Sequence, residues 1–474
     1  MHVLLVEPVK TPWLMMGDVV ALPLGLAQLA GCLEEAGISV GVLDANALAL
    51  SPEALGAAVA GQDPDLVGMT AFTPWMPDVV RAVRIVRRAA PRATIALGGP
   101  HVTFTAAETL ATVPEVDVVA RGEGESIIVE LARAVEAGSG LDQVPGLTFR
   151  RNGAHGDGDL VETPAPPPVD PRTLPLPAFH LLPMERYYFS SLGGTFATLL
   201  ASRGCPFHCT FCSEWPFWRG GWRPYDPEQV VEQLDIVVNR YGRRNVWFGD
   251  DCFNVSAEHI AAICEGILRR GIEVDWYYQG RADMVVKHKE ILPLMRRAGN
   301  RMVQLGIEAS NDEQRQALNK QLSTGTAEEA VRLLRAHDIV CQGMIIVGLP
   351  DDSPQTFREK VRFVTRLDVD FPVFLVYTLF PGAQDYDKAL AEGWIEPPRN
   401  WAHHDMAHVL MPTQHMSPQQ IWNYTRWAWT TVYLDPIRLV RALTSRNRWR
   451  RQNWWGMLTY IGKQTVRGLL PRLR

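Results

Sequence analysis

The sequence predicts an α/β protein made of two strand–helix regions in tandem and a small helical C-terminal region. Three observations predict it. Residues 1–150 carry five apolar, non-alternating strands interleaved with helices. Residues 151–195 break that rhythm with TPAPPPVDPRTLPLPAF. Residues 196–400 resume it with six more strand–helix units. Strands that are apolar on both faces belong in parallel sheets covered by helices. The first region therefore reads as a doubly wound sheet and the second as a partial or full α/β barrel.

In the first region the strands are HVLLVE, SVGVLD ending at Asp44, DLVGMTA, TIALGG and VDVVAR. The helices are PLGLAQLAGCLEEAG ending at Gly37, PEALGAAVAG, MPDVVRAVRIVRRAAP closed by Pro91, AAETLATV and ESIIVELARAVEAG. Ligands of such sheets sit beyond the C-terminal strand ends. Those ends carry glycine- or proline-marked loops: residues 8–17 followed by PLGL (23–26), TAFTPW (70–75), GGPHVTF (98–104) and RGEGE (121–125). Glycine lets backbone approach a ligand closely, so a broad site lined by several loops is expected; tight turns alone are the competing reading. Residues 151–195 read as a semi-rigid polyproline linker without its own core. In the second region strands are expected at 196–202, 245–249, 274–279, 302–307, 341–347 and 372–378. Helices are expected at 227–240, 256–270, 288–298, 325–336 and 354–366.

The C-terminal region, residues 401–474, ends in a stretch with ten Arg or Lys and no acid after Asp435, interleaved with Trp449, Trp454 and Trp455. Two readings fit: an interfacial helix on an anionic membrane, or a helix packed on the barrel through its Trp face. RNA binding is a third, without an RNA-binding fold to accompany the charge. On the first reading, deleting residues 436–474 abolishes vesicle binding and leaves the rest of the chemistry intact.

A chain of 474 residues is too long for one ordinary core, and a net charge of −5 argues against a nucleic-acid binder. MHVLLVEP lacks a basic segment and reads as a strand rather than a signal peptide. No apolar run reaches the ~18 residues a membrane span needs. The expected compartment is the cytoplasm, with the tail reading adding the inner membrane face. Cys32, Cys252, Cys264 and Cys341 lie in apolar contexts and read as core residues, without disulfides.

The remaining cysteines stand together in ASRGCPFHCTFCSEW, where Cys205, Cys209 and Cys212 have the spacing C-x3-C-x2-C. Three thiolates on one loop hold three irons of a [4Fe–4S] cluster and leave the fourth open. Zinc is the competitor, with His208 as fourth ligand; His208 lies in the same loop, where tetrahedral reach is awkward. The tryptophans of the following SEWPFWRGGWR (Trp215, Trp218, Trp222) suit a flat apolar molecule or pack the loop.

These cysteines, with Phe211 before the last, resemble the signature of the radical S-adenosylmethionine (SAM) superfamily. The order PLGL, GGPH, RGEGE, then the cysteine loop, resembles its cobalamin-binding (class B) branch across residues 1–400. The resemblance implies a flavodoxin-like or Rossmann-type cobalamin-binding domain (1–150), a linker (151–195), a partial (β/α)6 radical SAM barrel (196–400) and the basic, Trp-rich helical region (401–474). It implies a [4Fe–4S] cluster on Cys205, Cys209 and Cys212, with SAM on the open iron. Phe211 then packs the adenine. Asp250 or Asp251, Gln279, Arg281, Glu308, Lys320 and Gly348 contact SAM. Tyr377 and Arg281 face the reacting centre. Asp44, Thr70, Trp75, Gly98, Gly99 and Glu123 line the cobalamin, with Trp75 or Met76 beneath the corrin. No D-x-H-x-x-G motif surrounds His101, so cobalt without a protein histidine is expected. A domain that has lost its cobalamin and survives as a scaffold is the alternative.

The activity implied is methylation of an unactivated carbon or phosphorus centre through a 5′-deoxyadenosyl radical and methylcobalamin. The alternative is a non-methylating enzyme of the branch that closes or contracts a ring or joins carbons, as the porphyrin-ring cyclase of anaerobic bacteriochlorophyll synthesis does. A binding protein without turnover is the third reading. The substrate is expected to be a small molecule, lipid-like or tetrapyrrole-like. The electron is expected from an external flavodoxin- or ferredoxin-type donor.

Overall fold

The computed structural model describes residues 1–13, 19–151, 159–190, 194–395 and 399–469, with side chains to residue 459. Residues 14–17 of the first strand-end loop, parts of the Pro-rich stretch and the last five residues of the basic tail lie outside the described residues.

The first part contains strands β1 (His2–Glu7), β2 (Val19–Val20), β3 (Ser39–Asp44), β4 (Leu66–Thr70), β5 (Thr94–Gly98), β6 (Val118–Ala120), β7 (Leu147–Arg150) and β8 (Leu160–Glu162). Between them run helices α1 (Leu24–Glu35), α2 (Pro52–Gln62), α3 (Met76–Ala89), α4 (Pro100–Phe104), α5 (Ala106–Thr112) and α6 (Ile128–Ala137). The sheet order is β3-β1-β4-β5-β6-β7-β8. The first five strands are parallel and the last two antiparallel. Val3, Leu4, Leu5 and Val6 of β1 are all fully buried. Val3 and Leu5 share a core with Leu26 and Leu131, Leu4 and Val6 one with Val79 and Val83. Helices on both faces explain why the strand does not alternate.

The stretch expected to be a coreless linker is built into the molecule instead. β8 pairs with β7, and Phe179, Leu182, Met184 and Tyr187 are buried in the main core. A proline has no amide hydrogen to satisfy, so a Pro-rich segment buries side chains at little hydrogen-bonding cost.

The second sheet uses β9 (Tyr188–Phe189), β10 (Gly194–Leu199), β13 (Asn245–Phe248), β14 (Asp275–Arg281), β15 (Asn300–Glu308), β16 (Val340–Val347) and β17 (Phe371–Val376); a ribbon of β11 (Ser202–Arg203) and β12 (Arg223–Pro224) flanks it. Its order is β17-β16-β15-β14-β13-β10-β9-β2. Six parallel strands follow in sequence order, and the edge is completed by two short antiparallel strands, one supplied by residues 19–20 of the first region. The sheet does not close, so of the two barrel readings the partial one holds. Its helices are α7 (Glu214–Phe217), α8 (Pro227–Asp235), α9 (Ala257–Arg270), α10 (Ala282–Lys287), α11 (Leu292–Arg297), α12 (Asp312–Ala317), α13 (Thr324–Ala336), α14 (Pro354–Leu367) and α15 (Gln384–Ala391). α10, α12 and α15, of six to eight residues, had not been expected; their apolar stripes span less than two turns or little more.

The C-terminal helices are α16 (Pro418–Tyr433), α17 (Pro436–Leu443) and α18 (Arg448–Leu469). Trp449 and Trp454 are each 2% exposed. Trp454 lies against Phe371 at the start of β17 and against Tyr433, whose hydroxyl donates to the Pro372 carbonyl at 2.9 Å. Arg450 pairs with Asp370 at 2.6 Å, Arg441 with Asp368 and Arg448 with Asp275. For these residues the packed reading of the tail holds. Among the described residues no helix is long and apolar enough to cross a membrane.

Candidate active site

The two sheets turn their C-terminal strand edges toward each other. After β1, the Trp13 indole donates to the Asp405 carbonyl at 2.7 Å. After β5, His101 meets Trp401 edge to face, and Phe104 meets Phe217. After β6, Glu123 and Glu125 reach across to Arg203, at 3.0 and 2.5 Å. Arg223 pairs with Glu123 at 2.9 Å. All three carboxylate and guanidinium heads of the Arg203 group are buried. Burial opposes charge on Arg203, but Glu125 and its neighbours hold its pKa well above the ordinary value.

The cysteine loop sits at this junction. β11 ends at Arg203, two residues before Cys205. Gly204 adopts φ 82°, and a Cβ there would run into the Gly221 carbonyl; only glycine lets the loop turn between its neighbours. The Cys212 amide donates to the Cys209 carbonyl at 3.2 Å, and the Thr210 amide to the Leu318 carbonyl at 3.2 Å. Arg281 and Lys320 bring positive charge beside Cys205 and Cys209. Cys205 is lowered to about 7, first by a hydrogen bond with Cys252, whereas burial pushes Cys209 and Cys212 up. Cys252, expected to be a plain core residue, therefore stands against the cluster loop; it follows β13, a strand end that only the fold brings here. His208 stacks its ring on Trp215 at 4.2 Å, away from a fourth-ligand role. Trp218 packs near Arg203 and Arg223, and Trp222 meets His259 edge-on. These tryptophans pack the loop. Among the described residues no three His, Cys, Asp or Glu side chains stand close enough to hold a single metal ion. Three soft thiols on one loop, flanked by two cations, fit an iron–sulfur cluster by donor chemistry.

The expected SAM contacts fall into two groups. Glu308, Lys320 and Arg281 gather beside the cysteine loop that carries Phe211, and Gln279 lies two residues before Arg281 on β14. Lys320 Nζ donates to Glu308 Oε1 at 2.7 Å, both buried. Burial works against the lysine's charge, and Glu308 holds its pKa above the ordinary value. Glu308 has φ 65°, a left-handed conformation, at a bulge between β15 and β16. Such a residue costs about 1–3 kcal/mol and persists where the surroundings over-determine it. Gly306 makes room: a Cβ there would stand 2.5 Å from Glu308 Oε1 and 2.6 Å from Lys320 Nζ. Arg281 pairs with Asp283 at 3.0 Å, donates to the Lys320 carbonyl at 2.7 Å and covers the Phe207 ring at 3.8 Å. Phe211 packs beside Leu318, Ile346 and Tyr377.

The second group is turned into the protein. Asp250 accepts from the Ala201 amide and the Ser202 hydroxyl, and burial raises it to about 6. Asp251 accepts from the Gly204 amide; burial and then the neighbouring Glu214 carboxyl push its pKa well up. These aspartates hold the loop that carries the cysteines. Gly348, at φ 79°, donates to Asp352, which is fully buried against Lys360 at 2.6 Å. The Tyr377 hydroxyl is bonded to Asp385 at 2.6 Å, and Thr210 of the cysteine loop donates to the same carboxylate. This tyrosine was expected to face substrate; its hydroxyl is taken up in bracing the loop instead.

On the other edge, Gly99 has φ 100°, and a Cβ there would press on Thr70 Oγ1 at 2.7 Å. Thr70, Gly98 and Gly99 are half-buried at the rim. Trp75 donates to the Thr11 carbonyl at 2.9 Å, with Lys10 over its ring at 4.4 Å and Trp13 edge-on. Met76 is buried in the core of the first sheet and leaves Trp75 alone at that edge. Asp44 is buried, accepts from the Tyr187 hydroxyl at 2.9 Å and is raised by burial to about 6. Both oxygens of Glu123 serve Arg203 and Arg223. Asp44 and Glu123, expected as cofactor contacts, are thus internal struts: a carboxylate this buried needs a donor of its own. His101 is buried against Thr73 and Trp401, and burial drops its pKa to about 3. Sequence reasoning did not single out Arg203, Arg223, Lys10, Trp13 or Trp401, and it read the RGEGE loop that ends at Glu125 as cofactor lining. Arg203 and Arg223 adjoin the cysteine loop and Lys10 and Trp13 lie in the first strand-end loop, so the sequence marked these segments without marking the side chains.

Residues 18–132 match the B12 binding domain family, and residues 199–364 match the Radical SAM superfamily. An uncharacterized methyltransferase of Pyrococcus horikoshii is 29% identical over 94% of this chain and 93% of its own length. The anaerobic magnesium-protoporphyrin IX monomethyl ester cyclase of Rubrivivax gelatinosus is 31% identical over 76% of this chain; the match spans 64% of the cyclase, under two thirds of its length. The radical SAM methyltransferase TsrM of Kitasatospora setae, solved with cobalamin and a [4Fe-4S] cluster, has the same fold. Its TM-score is 0.72 at 19% identity, over 98% of this chain and 99% of that one. The chain belongs to the cobalamin-binding branch of the radical SAM superfamily.

Proposed function

We propose that this enzyme methylates an unactivated carbon or phosphorus centre of a small molecule. The observation that carries the reading is the apposition of the two strand-end edges, clamped by Arg203, Glu123 and Glu125 beside the cysteine loop. Together the cluster, SAM and cobalamin supply hydrogen-atom abstraction and a transferable methyl group. The chain's part is placement and exclusion of water. Cys205, Cys209 and Cys212 hold the cluster. Glu308, Lys320 and Phe211 bind SAM at the mouth, with Arg281 beside them. Asp250, Asp251 and Tyr377 fix the loop from behind. Gly98, Gly99, Thr70 and Trp75 form the rim that would meet the corrin, and His101, packed against Thr73 and Trp401, would not be drawn on to hold it. An external flavodoxin- or ferredoxin-type protein supplies the electron. The enzyme works in the cytoplasm. Leu434, Ile437 and Val440, 58–70% exposed on one side of the C-terminal helices, support peripheral contact with the inner membrane face.

Anaerobic reconstitution and product analysis test this. S-adenosylhomocysteine together with 5′-deoxyadenosine marks methylation. Deoxyadenosine alone favours the second reading, ring closure or carbon joining, to which the 31% identical cyclase lends weight. Neither product, with no cluster absorbance, ends the enzyme reading. Each of Cys205→Ala, Cys209→Ala and Cys212→Ala is expected to lose cluster absorbance and SAM cleavage, whereas Cys264→Ala, remote in the core, keeps both.

A further inference from the structure

The inner face of the second sheet carries six uncharged polar side chains in two rows. Arg281 and Gly306 are paired in register and face the cysteine loop, since Arg281 covers Phe207 and Gly306 abuts Glu308 and Lys320. Side chains alternate along a strand. Gln279, two residues before Arg281, and Gln304, two before Gly306, therefore point the same way. Gln279 pairs with Gln304, and Gln304 with Gln342, so three carboxamides stand side by side on β14, β15 and β16. One step nearer the strand starts, Thr198, Trp247 and Tyr277 form a second row across β10, β13 and β14. The Trp247 and Tyr277 rings lie parallel, at 2° and 6.1 Å.

None of the six side chains makes a hydrogen bond within the described residues. The Thr198 hydroxyl, the Trp247 indole N–H, the Tyr277 hydroxyl and the Gln342 carboxamide oxygen are closed off from solvent and unpartnered. Folded proteins pair such atoms, so orphans that cluster on one face call for a partner from outside the chain's own side chains, a water or a bound polar group. Four of these atoms stand together on one face of the sheet. The formal charges above them, Arg281 with Asp283 and Lys320 with Glu308, satisfy one another. What the floor offers is hydrogen bonding without charge.

We propose that this double row is the substrate's specificity floor, and that it takes a neutral, amide- or hydroxyl-bearing group rather than hydrocarbon or carboxylate. A carboxamide row both donates and accepts, which matches an amide or hydroxyl, and with Arg281 and Lys320 already paired it holds no free cation to offset the charge of a buried carboxylate. The inference rests on the reading above, in which the barrel interior receives the substrate. It changes that reading in one respect: a lipid-like substrate would enter with a polar end first.

The test uses the anaerobically reconstituted full-length enzyme and one matched probe series, benzamide, benzyl alcohol, benzoate and toluene, followed by ligand-observed NMR. Benzamide and benzyl alcohol are expected to bind, benzoate and toluene not. Gln342→Met and Tyr277→Phe are expected to weaken benzamide at least fivefold while melting at the same temperature or higher, because each removes an atom with no partner. Equal or better binding of toluene or benzoate overturns the proposal. So does benzamide binding that survives both variants, or a lower melting temperature in both, which assigns the rows to structure. SAM cleavage by the wild type, measured in parallel, keeps the two readings apart. An enzyme that binds benzamide and never cleaves SAM sinks the parent reading alone; one that cleaves SAM and prefers toluene sinks the floor alone.

Discussion

Glu308 shows how a single residue joins fold to chemistry. Its positive φ turns the carboxylate back over Gly306 to meet Lys320, in a pocket with no room for a Cβ. Gly306→Ala must therefore part the pair or shift the bulge. It is expected to weaken SAM binding about tenfold or more, roughly 1.4 kcal/mol, by calorimetry on the reconstituted enzyme; unchanged affinity would remove Glu308 and Lys320 from the SAM site. His101 carries a prediction of another kind. Its pKa is depressed by burial to about 3 from an ordinary 6.5. The folded state keeps the imidazole neutral while the unfolded chain takes up a proton, so stability is full above pH 6.5 and falls as pH drops toward 3. The groups beside it are the Thr73 hydroxyl, Trp401 and His404, the last also depressed. His101→Phe is expected to flatten the decline in melting temperature between pH 6.5 and 4.5. An unaltered slope in the variant would assign the acid sensitivity elsewhere.

At the level of elements, the weight falls on the joint between the loop after β6 and the β11–β12 ribbon. Arg203 meets two carboxylates and the Tyr225 hydroxyl while 4% exposed. Removing one partner from a buried pair leaves a charge without compensation and costs about 3–5 kcal/mol. Glu125→Gln is expected to lower the melting temperature and to raise amide exchange in residues 121–125 and 203–223 together. Exchange that rises on one side only would show that the two edges are not mechanically coupled. The same joint explains two misplaced expectations. Glu123 sits in a glycine-marked loop, which reads as a cofactor contact until the guanidinium across the cleft is seen. Asp44 ends a strand at the ligand edge, yet Tyr187, 143 residues on, takes its carboxylate.

At the scale of the molecule, the C-terminal helices close the barrel's far side while leaving an apolar strip outside. Deleting residues 436–474 would uncover the sites of Trp449 and Trp454, and losing a buried tryptophan costs about 3–5 kcal/mol each. The deletion is therefore expected to destabilise the barrel and lose the cluster, against the sequence expectation of a clean truncation. Ile437→Ser with Val440→Ser separates the functions: both residues are exposed, so melting temperature should hold while co-sedimentation with anionic vesicles falls. Vesicle binding that persists in the double variant, or is absent in the wild type, ends the membrane reading. The chain as a whole carries strand β2 from its first region into its second sheet, so the two halves are expected to unfold in one calorimetric transition. Two resolved transitions would show that this edge contributes little.

Much of this architecture is written in the chain itself. Apolar strands without alternation pointed to two largely parallel sheets, and three cysteines on one loop pointed to cluster chemistry, because both signals are local. Glycines at strand ends also marked the ligand-facing edge of the first sheet. Tertiary structure alone decided which polar residues face the cleft and which brace it. Asp250, Glu123 and Asp44 look like ligands in sequence, and each is bound by a partner that the fold delivers from elsewhere, while Tyr377 is bound by Asp385 eight residues on. The glutamine row was equally invisible, since Gln279, Gln304 and Gln342 lie far apart in sequence and meet only through strand register. A charge or an amide acquires its role from what stands opposite it, and that is settled by packing.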